Sequence, residues 1–190
     1  MRRRLFLTGP AETGKSEMIQ KVLGDRIGQA GGFITVRGRD EKGNVRSYSL
    51  VAADGSGQQD KFLEIIGGKS VTHLEVFSQL GATLVQRAQN KPFAVLDELG
   101  GAELLDDSFM EALVRLIKSK TPCIGVVKRY APGGRTVDGM GLSVRYELAR
   151  KVLQEYISRD SDTMLVETSG MDDAEIMALI QQWVDEYANG

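Results

Sequence analysis

Apolar residues in this chain fall into two kinds of pattern, short uninterrupted runs and longer stripes at helical spacing. The runs are bounded by turn residues, as are strands buried on both faces of a sheet. They lie at 3–8, 92–97, 122–127 and 163–168. The stripes repeat every three or four positions, which is typical of amphipathic helices. They lie at 16–23, 74–89, 107–118, 142–157 and 172–187.

A β-hairpin is predicted early in the chain. Residues 32–37 and 45–51 have strand character, and the turn residues at 40–44 separate them. Residues 58–72 show no clear pattern. Because strands and helices otherwise alternate, the sequence predicts an α/β fold with a mostly parallel sheet, helices on both faces and an antiparallel edge hairpin.

The composition indicates one globular domain over residues 1–190, since 42% of the residues are hydrophobic and 26% are charged. The net charge of −2 gives no general attraction for nucleic acid or an anionic membrane. No run approaches the roughly 18 apolar residues of a membrane span. The lone cysteine, Cys123, fits a reducing compartment. We therefore expect a cytoplasmic protein without nucleic-acid or membrane partners; the sequence identifies no protein partner.

A glycine-rich segment with the spacing G-x-x-x-x-G-K-S separates the first run from the first stripe. It consists of Gly9, Pro10, Ala11, Glu12, Thr13, Gly14, Lys15 and Ser16. Between a strand and a helix, such a turn points backbone N–H groups at an anion, and the helix adds its positive end. Lys15 supplies a mobile charge for the β- and γ-phosphates, and the Ser16 hydroxyl suits Mg²⁺. The segment therefore predicts a phosphate-binding loop for a nucleoside triphosphate, ATP or GTP, with Mg²⁺.

Two carboxylates follow a later apolar run, in the pattern known as Walker B. Asp97 and Glu98 directly follow the four apolar residues at 93–96. The carboxyl ends of parallel strands meet at one edge of the sheet, so we expect both residues near the loop. Asp97 is predicted to hold Mg²⁺ beside Ser16, and Glu98 to activate a water as catalytic base. Glu103, further on, is either a supporting acid of the site or a charge at a helix start.

Basic residues beyond strand ends are candidates for neutralising phosphoryl charge. Lys128, Arg129 and Arg135 follow the run at 122–127, and Arg129 is our first choice. Arg37, Arg39 and Arg46 on the hairpin are further candidates, whereas Lys118 and Lys120 fit a helix end. Glu12 puts a carboxylate inside the anion loop, and we expect its side chain to point to solvent.

Four segments together resemble a known family. They are 5–10, 32–35, 95–104 and 124–127, and the most specific piece reads Asp-Glu-Leu-Gly-x-x-Glu-Leu from Asp97 to Leu104. Over roughly residues 3–130 the chain resembles the small cancer-related nucleoside-triphosphatase family, also found in thermophiles. The resemblance implies a RecA-like P-loop core, a three-layer sandwich that slowly hydrolyses nucleoside triphosphates with Mg²⁺. It also implies that Lys15 and Ser16 bind phosphate and metal, that Asp97 serves the metal, and that Glu98 is the base.

The chain departs from the family at several points. Glu12 replaces the usual glycine, residues 131–141 form a longer loop, and 168–172 stand where the family has an Asn-Arg-Asp-type element.

The residues predict a Mg²⁺-dependent nucleoside triphosphatase that yields the diphosphate and phosphate. One alternative is a small-molecule or nucleotide kinase on the same core, with an acceptor pocket built from residues 33–72 and 131–141. Another is a non-catalytic nucleotide-binding regulatory protein.

Overall fold

A computed structural model describes residues 1–129 and 144–189. Their strands are β1 (Arg4–Thr8), β2 (Gly31–Arg39), β3 (Val45–Ala52), β4 (Gln59–Ile66), β5 (Lys69–Thr72), β6 (Ala94–Leu99), β7 (Cys123–Val127) and β8 (Thr163–Glu167). Their α-helices are α1 (Lys15–Leu23), α2 (Ala82–Ala88), α3 (Asp107–Lys118), α4 (Val144–Arg159) and α5 (Asp173–Tyr187). Short 3₁₀ helices cover Gly24–Gln29 and Ala102–Leu105, and a π-helical turn, Phe77–Gly81, leads into α2. The predicted loop at 131–141, with Arg135, lies outside the described residues.

The described strands form one eight-stranded sheet in the order β5-β4-β3-β2-β6-β7-β1-β8. The five strands β2, β6, β7, β1 and β8 are parallel to their neighbours within that half of the sheet. From β2 outwards to β5 the pairing is antiparallel. The predicted α/β fold and its antiparallel hairpin, β2–β3, are confirmed. The uninterpreted residues 58–72 form β4 and β5, which extend the hairpin to a four-stranded antiparallel ribbon.

Helices cover both faces of the parallel half. In β1 the side chains of Leu5 and Leu7 pack with α1 and α5, whereas Phe6 packs with α2, α3 and α4. Successive side chains of a strand point to opposite faces, so a strand between two helical layers has to be apolar at every position. This explains the uninterrupted apolar runs of the sequence.

Capping side chains mark the starts of α3 and α5. The Asp106 carboxylate accepts a hydrogen bond from the N–H of Phe109 at the start of α3. Asp172 and Glu175 form a reciprocal capping box at the start of α5. Such caps satisfy N–H groups that have no partner within the helix, and each contributes about 1 kcal/mol.

A β-bulge interrupts the pairing of β6 with β7. Leu96 pairs with Gly125 and Leu99 pairs with Val127, so that Asp97 and Glu98 together lie opposite one residue, Val126. The backbone of Glu98 adopts the left-handed region, at φ 57°, and this conformation accommodates the extra residue of the bulge. Bulges re-aim side chains beside functional sites, and this one contains the two predicted acids.

The bulge requires a glycine on β7. A Cβ atom at position 125 would lie 1.9 Å from the carbonyl oxygen of Leu96, which is backbone and has no rotamer to change. Gly125 therefore allows the close approach of the two strands at the bulge.

We predict that Gly125→Ala lowers the free energy of unfolding by about 3 kcal/mol, since the two strands have to separate to admit the methyl group. Urea denaturation measures the loss. Gly28→Ala is the matched control, because a Cβ at that position meets nothing within 4 Å, and we expect a change below about 1 kcal/mol. Equal stability of the two variants would contradict the packing argument.

Candidate active site

The glycine-rich segment forms the turn between β1 and α1, as the sequence predicts. Three of its residues have positive φ, Gly9 at 146°, Glu12 at 60° and Gly14 at 75°. A Cβ on Gly9 would lie 2.5 Å from the Thr168 hydroxyl oxygen, so the start of the turn packs against the segment after β8. The conformation of the turn thus depends on both local glycines and a distant contact.

Lys15 lies at the centre of this loop. Its Nζ donates hydrogen bonds to the Pro10 carbonyl oxygen at 2.5 Å and to the Thr13 hydroxyl at 2.9 Å. Burial lowers the pKa of Lys15, while the nearby carboxylates, Glu98 foremost, act in the opposite direction. The ammonium is therefore held within the loop beside negative charge.

The loop and the end of β6 meet directly. The Ser16 hydroxyl donates a hydrogen bond of 2.5 Å to Oδ1 of Asp97, and the Thr35 N–H donates one of 3.0 Å to Oδ2. Burial raises the pKa of Asp97 to about 6, although both hydrogen bonds act to lower it. The structure thus brings together the two predicted metal ligands, which are 81 residues apart in the sequence.

Glu98 lies beside Asp97 and has two cationic side chains near its carboxylate. Its carboxylate is 4.0 Å from Nη2 of Arg37 and 3.8 Å from Nζ of Lys128, and the side chain is 30% exposed. Both Asp97 and Glu98 act electrostatically on Lys15. Regular alternation would turn adjacent side chains to opposite faces, so the bulge accounts for two consecutive acids at one site.

A sequence profile of the NTPase family matches residues 4–150. The chain belongs to this NTPase family. It is 28% identical to the nucleoside-triphosphatase THEP1 of Thermococcus kodakarensis over 138 residues, covering 66% of this chain and 76% of that protein. It is 29% identical to the THEP1 of Pyrococcus abyssi over 147 residues, covering 70% and 80%.

Two solved structures share the fold of this NTPase. The solution structure of a human cancer-related nucleoside triphosphatase has a TM-score of 0.64 at 19% identity, covering 97% of this chain and 98% of that one. The crystal structure of THEP1 from Aquifex aeolicus has a TM-score of 0.60 at 15% identity, covering 94% and 99%. The family resemblance and the P-loop NTPase fold predicted from the sequence are confirmed. The membership makes the chain a nucleotide-binding hydrolase of nucleoside triphosphates.

The donor set at Ser16 and Asp97 suits Mg²⁺. A hydroxyl and a carboxylate are hard oxygen ligands, and Mg²⁺ characteristically takes one or two such protein ligands together with phosphate oxygens and waters. The described residues contain no cluster of three or more His, Cys, Asp or Glu side chains that would form a complete protein cage. Within the same residues, no helix is long and apolar enough to cross a bilayer.

Sequence reasoning missed a set of contacts that hold the turn after the bulge. The buried Glu103 carboxylate accepts hydrogen bonds from the N–H groups of Gly100 at 2.5 Å and Gly101 at 2.8 Å. From α4, the Tyr146 hydroxyl and the Arg150 guanidinium donate to the Gly100 carbonyl oxygen at 2.7 and 2.5 Å. Glu103 also lies in the first turn of the 3₁₀ helix Ala102–Leu105, so its position fits both predicted roles. No local pattern identifies Tyr146 and Arg150, because their partners lie more than 40 residues away.

The basic candidates separate into different places. Arg129 lies 3.7 Å from Glu167 and its side chain is 57% exposed. Arg39 donates to the carbonyl oxygen of Gly43, and Arg46 pairs with Asp40, so both hold the turn of the β2–β3 hairpin. Of the hairpin arginines, only Arg37 contacts residues of the site.

Glu12 points outwards, as expected. Its side chain is 70% exposed and lies 3.3 Å from Nη1 of Arg37. The residue nevertheless has a left-handed backbone, which glycine adopts without steric cost. Backbone conformation therefore explains why glycine suits this position.

We predict that Glu12→Gly raises the free energy of unfolding by about 1 kcal/mol, because it relieves the left-handed strain. Nucleotide affinity should change by less than about threefold, since the carboxylate faces solvent. Thermal denaturation and calorimetric titration measure the two quantities. Glu17→Gly, at an exposed position inside α1, is the control and should lose about 1 kcal/mol. An affinity gain of orders of magnitude for Glu12→Gly would contradict the outward orientation.

The raised pKa of Asp97 predicts a pH-dependent stability in metal-free protein. The folded-state pKa of about 6 lies above the ordinary 3.8, so the folded state binds more protons than the unfolded state between these values. The free energy of unfolding then falls as the pH rises through this window. Asp97→Asn removes the effect, and above pH 6 it should be more stable than wild type by up to about 3 kcal/mol. Urea denaturation in EDTA between pH 4 and 7 measures the difference.

Asp25→Asn, at an exposed position, controls for the loss of one charge. A constant offset between wild type and Asp97→Asn across the whole pH range would show that the burial of Asp97 has no titrating consequence.

Proposed function

We propose that this NTPase hydrolyses nucleoside triphosphates slowly and with Mg²⁺, giving the diphosphate and inorganic phosphate. The observation that carries the proposal is the 2.5 Å hydrogen bond between Ser16 and Asp97. It joins the anion loop to the acidic end of β6 and brings Glu98 beside the same loop. A phosphate chain in the loop would have its outer phosphate within reach of Glu98.

The anion loop binds the polyphosphate. The backbone N–H groups of the loop and the N-terminal end of α1 favour phosphate oxygens. Lys15 gives up its hydrogen bonds to the loop and contacts the β- and γ-phosphates instead. Ser16 and Asp97 would hold Mg²⁺, which supplies positive charge against the phosphates when bound.

Glu98 then positions and deprotonates the attacking water. The water oxygen forms a bond to the γ-phosphorus, the bond from that phosphorus to the bridging oxygen breaks, and the diphosphate leaves with the bonding electrons. The water proton passes to the Glu98 carboxylate. Arg129, which lies near Glu167, remains a candidate for neutralising charge on the phosphoryl group. We also propose that the protein acts in the cytoplasm.

We expect wild-type protein with Mg²⁺ to release phosphate from ATP, GTP, CTP and UTP without any added acceptor, and EDTA to stop the release. Lys15→Ala should lower kcat/KM by at least about 100-fold, because it removes the charge within the loop. Glu98→Gln should lower kcat by at least about 100-fold and change nucleotide affinity by less than about threefold. A malachite-green assay and calorimetric titration provide the two measurements.

Glu111→Gln is the matched control, because Glu111 pairs with Arg115 on the exposed surface of α3. It should leave both kcat and affinity unchanged. Phosphate transfer that requires an added acceptor would favour the kinase. Unchanged turnover in Glu98→Gln would remove the role of that residue, and no release from any triphosphate would leave a protein that only binds nucleotide.

A further inference from the structure

β2 extends beyond the parallel part of the sheet. It pairs with β6 only from Gly31 to Phe33, and it continues to Arg39 through antiparallel pairing with β3. Thr35, just past the parallel segment, donates its N–H to Asp97. The outer half of β2 therefore runs alongside the active site as a wall held by β3.

Arg37 lies on this wall. It is two residues beyond Thr35 on β2, and its own ion pairs show that its side chain reaches the site. Its Nη1 is 3.3 Å from Glu12 in the anion loop, and its Nη2 is 4.0 Å from Glu98. The guanidinium therefore spans the gap between the loop and the proposed base, where the γ-phosphate of a bound nucleotide would lie.

The surroundings of Arg37 fit a group that changes partners. Its side chain is 27% exposed, and its Glu12 partner is 70% exposed. A solvent-exposed ion pair is weak, so a phosphate oxygen can replace the Glu12 carboxylate at little cost. The backbone, in contrast, is fixed by pairing with Tyr48 on β3, so the base of the side chain is already in place.

Arg37 suits this position better than Arg129. Arg129 follows β7, is 57% exposed and lies beside Glu167, the last residue of β8. A guanidinium provides two parallel N–H donors that match the oxygens of a phosphoryl group, and lysine lacks this geometry.

We propose that Arg37 is a catalytic residue of this NTPase, an arginine supplied from the same chain that leaves Glu12 and neutralises charge on the γ-phosphoryl group as the bond to the leaving diphosphate breaks. The inference rests on the proposed hydrolysis. It assigns to Arg37 on β2 the charge-neutralising role for which the sequence favoured Arg129.

The test compares Arg37→Gln and Arg37→Lys with wild type. Arg37→Gln should lower kcat by about 100-fold, with KM and the affinity for ADP changed by less than about threefold, because the arginine acts on the transition state. Arg37→Lys should recover part of the loss, since it keeps the charge without the fork. Calorimetric titration with Mg²⁺, ADP and aluminium fluoride, which mimics the transferring phosphoryl group, should show tight binding to wild type and loss of the tightening in Arg37→Gln.

Arg46→Gln is the matched control, since Arg46 lies on the same hairpin and pairs with Asp40; it should behave as wild type. Circular dichroism melting checks that each variant is folded. If wild type hydrolyses triphosphates and folded Arg37→Gln does so equally well, the inference is wrong while the proposed function stands. If wild type releases no phosphate, the proposed function fails first and the role of Arg37 falls with it.

Discussion

The bulge at Asp97 and Glu98 is the constraint on which the site depends. Two residues of β6 occupy the space of one, opposite Val126, and the carbonyl oxygen of Leu96 approaches Gly125 where no side chain fits. The consequence is that adjacent acids serve one site, although a regular strand would separate them. Asp97 meets Ser16 at the loop, and Glu98 takes a left-handed backbone between two cations. Such a backbone costs about 1–2 kcal/mol, so the surrounding structure has to hold it.

Contacts from the nearby Glu103 and from the remote helix α4 supply that support. Glu103 fixes the N–H groups of Gly100 and Gly101, while Tyr146 and Arg150 of α4 fix the Gly100 carbonyl oxygen. Arg150 also donates to the carbonyl oxygen of Lys128 at 2.9 Å, which ties the ends of β6 and β7 together. Buried polar groups are costly unless they are satisfied, so these hydrogen bonds make the turn rigid. A rigid turn keeps Glu98 in place without reorganisation, as its proposed role as catalytic base requires.

The antiparallel ribbon gives this member of the NTPase family a wall on the other side of the site. A parallel strand normally ends near the ligand, but pairing with β3 lets β2 continue past that edge. Thr35 and Arg37 are thereby carried on regular backbone rather than on a loop, and side chains on regular elements are placed more precisely. In the proposed mechanism the ribbon therefore contributes a catalytic residue in addition to extending the sheet.

The sequence by itself determined the layers, the anion loop and the acidic strand end. Each of these is a local signal: an apolar run between turns, a glycine spacing before a helix, or a cap such as Asp106. Residues 58–72 carried no such signal, because the half-exposed strands β4 and β5 owe their structure to pairing rather than to periodicity. Only the tertiary structure decided which cations lie beside Glu98. The strand-end pattern favoured Arg129, but Lys128 from the same strand end lies 3.8 Å from Glu98, and the length of β2 beyond β6 brings Arg37 to 4.0 Å. The bulge and the support from α4 also depend on contacts between distant segments. Local periodicity reports which face of an element is buried, but it contains no information on register between strands, and register places these side chains.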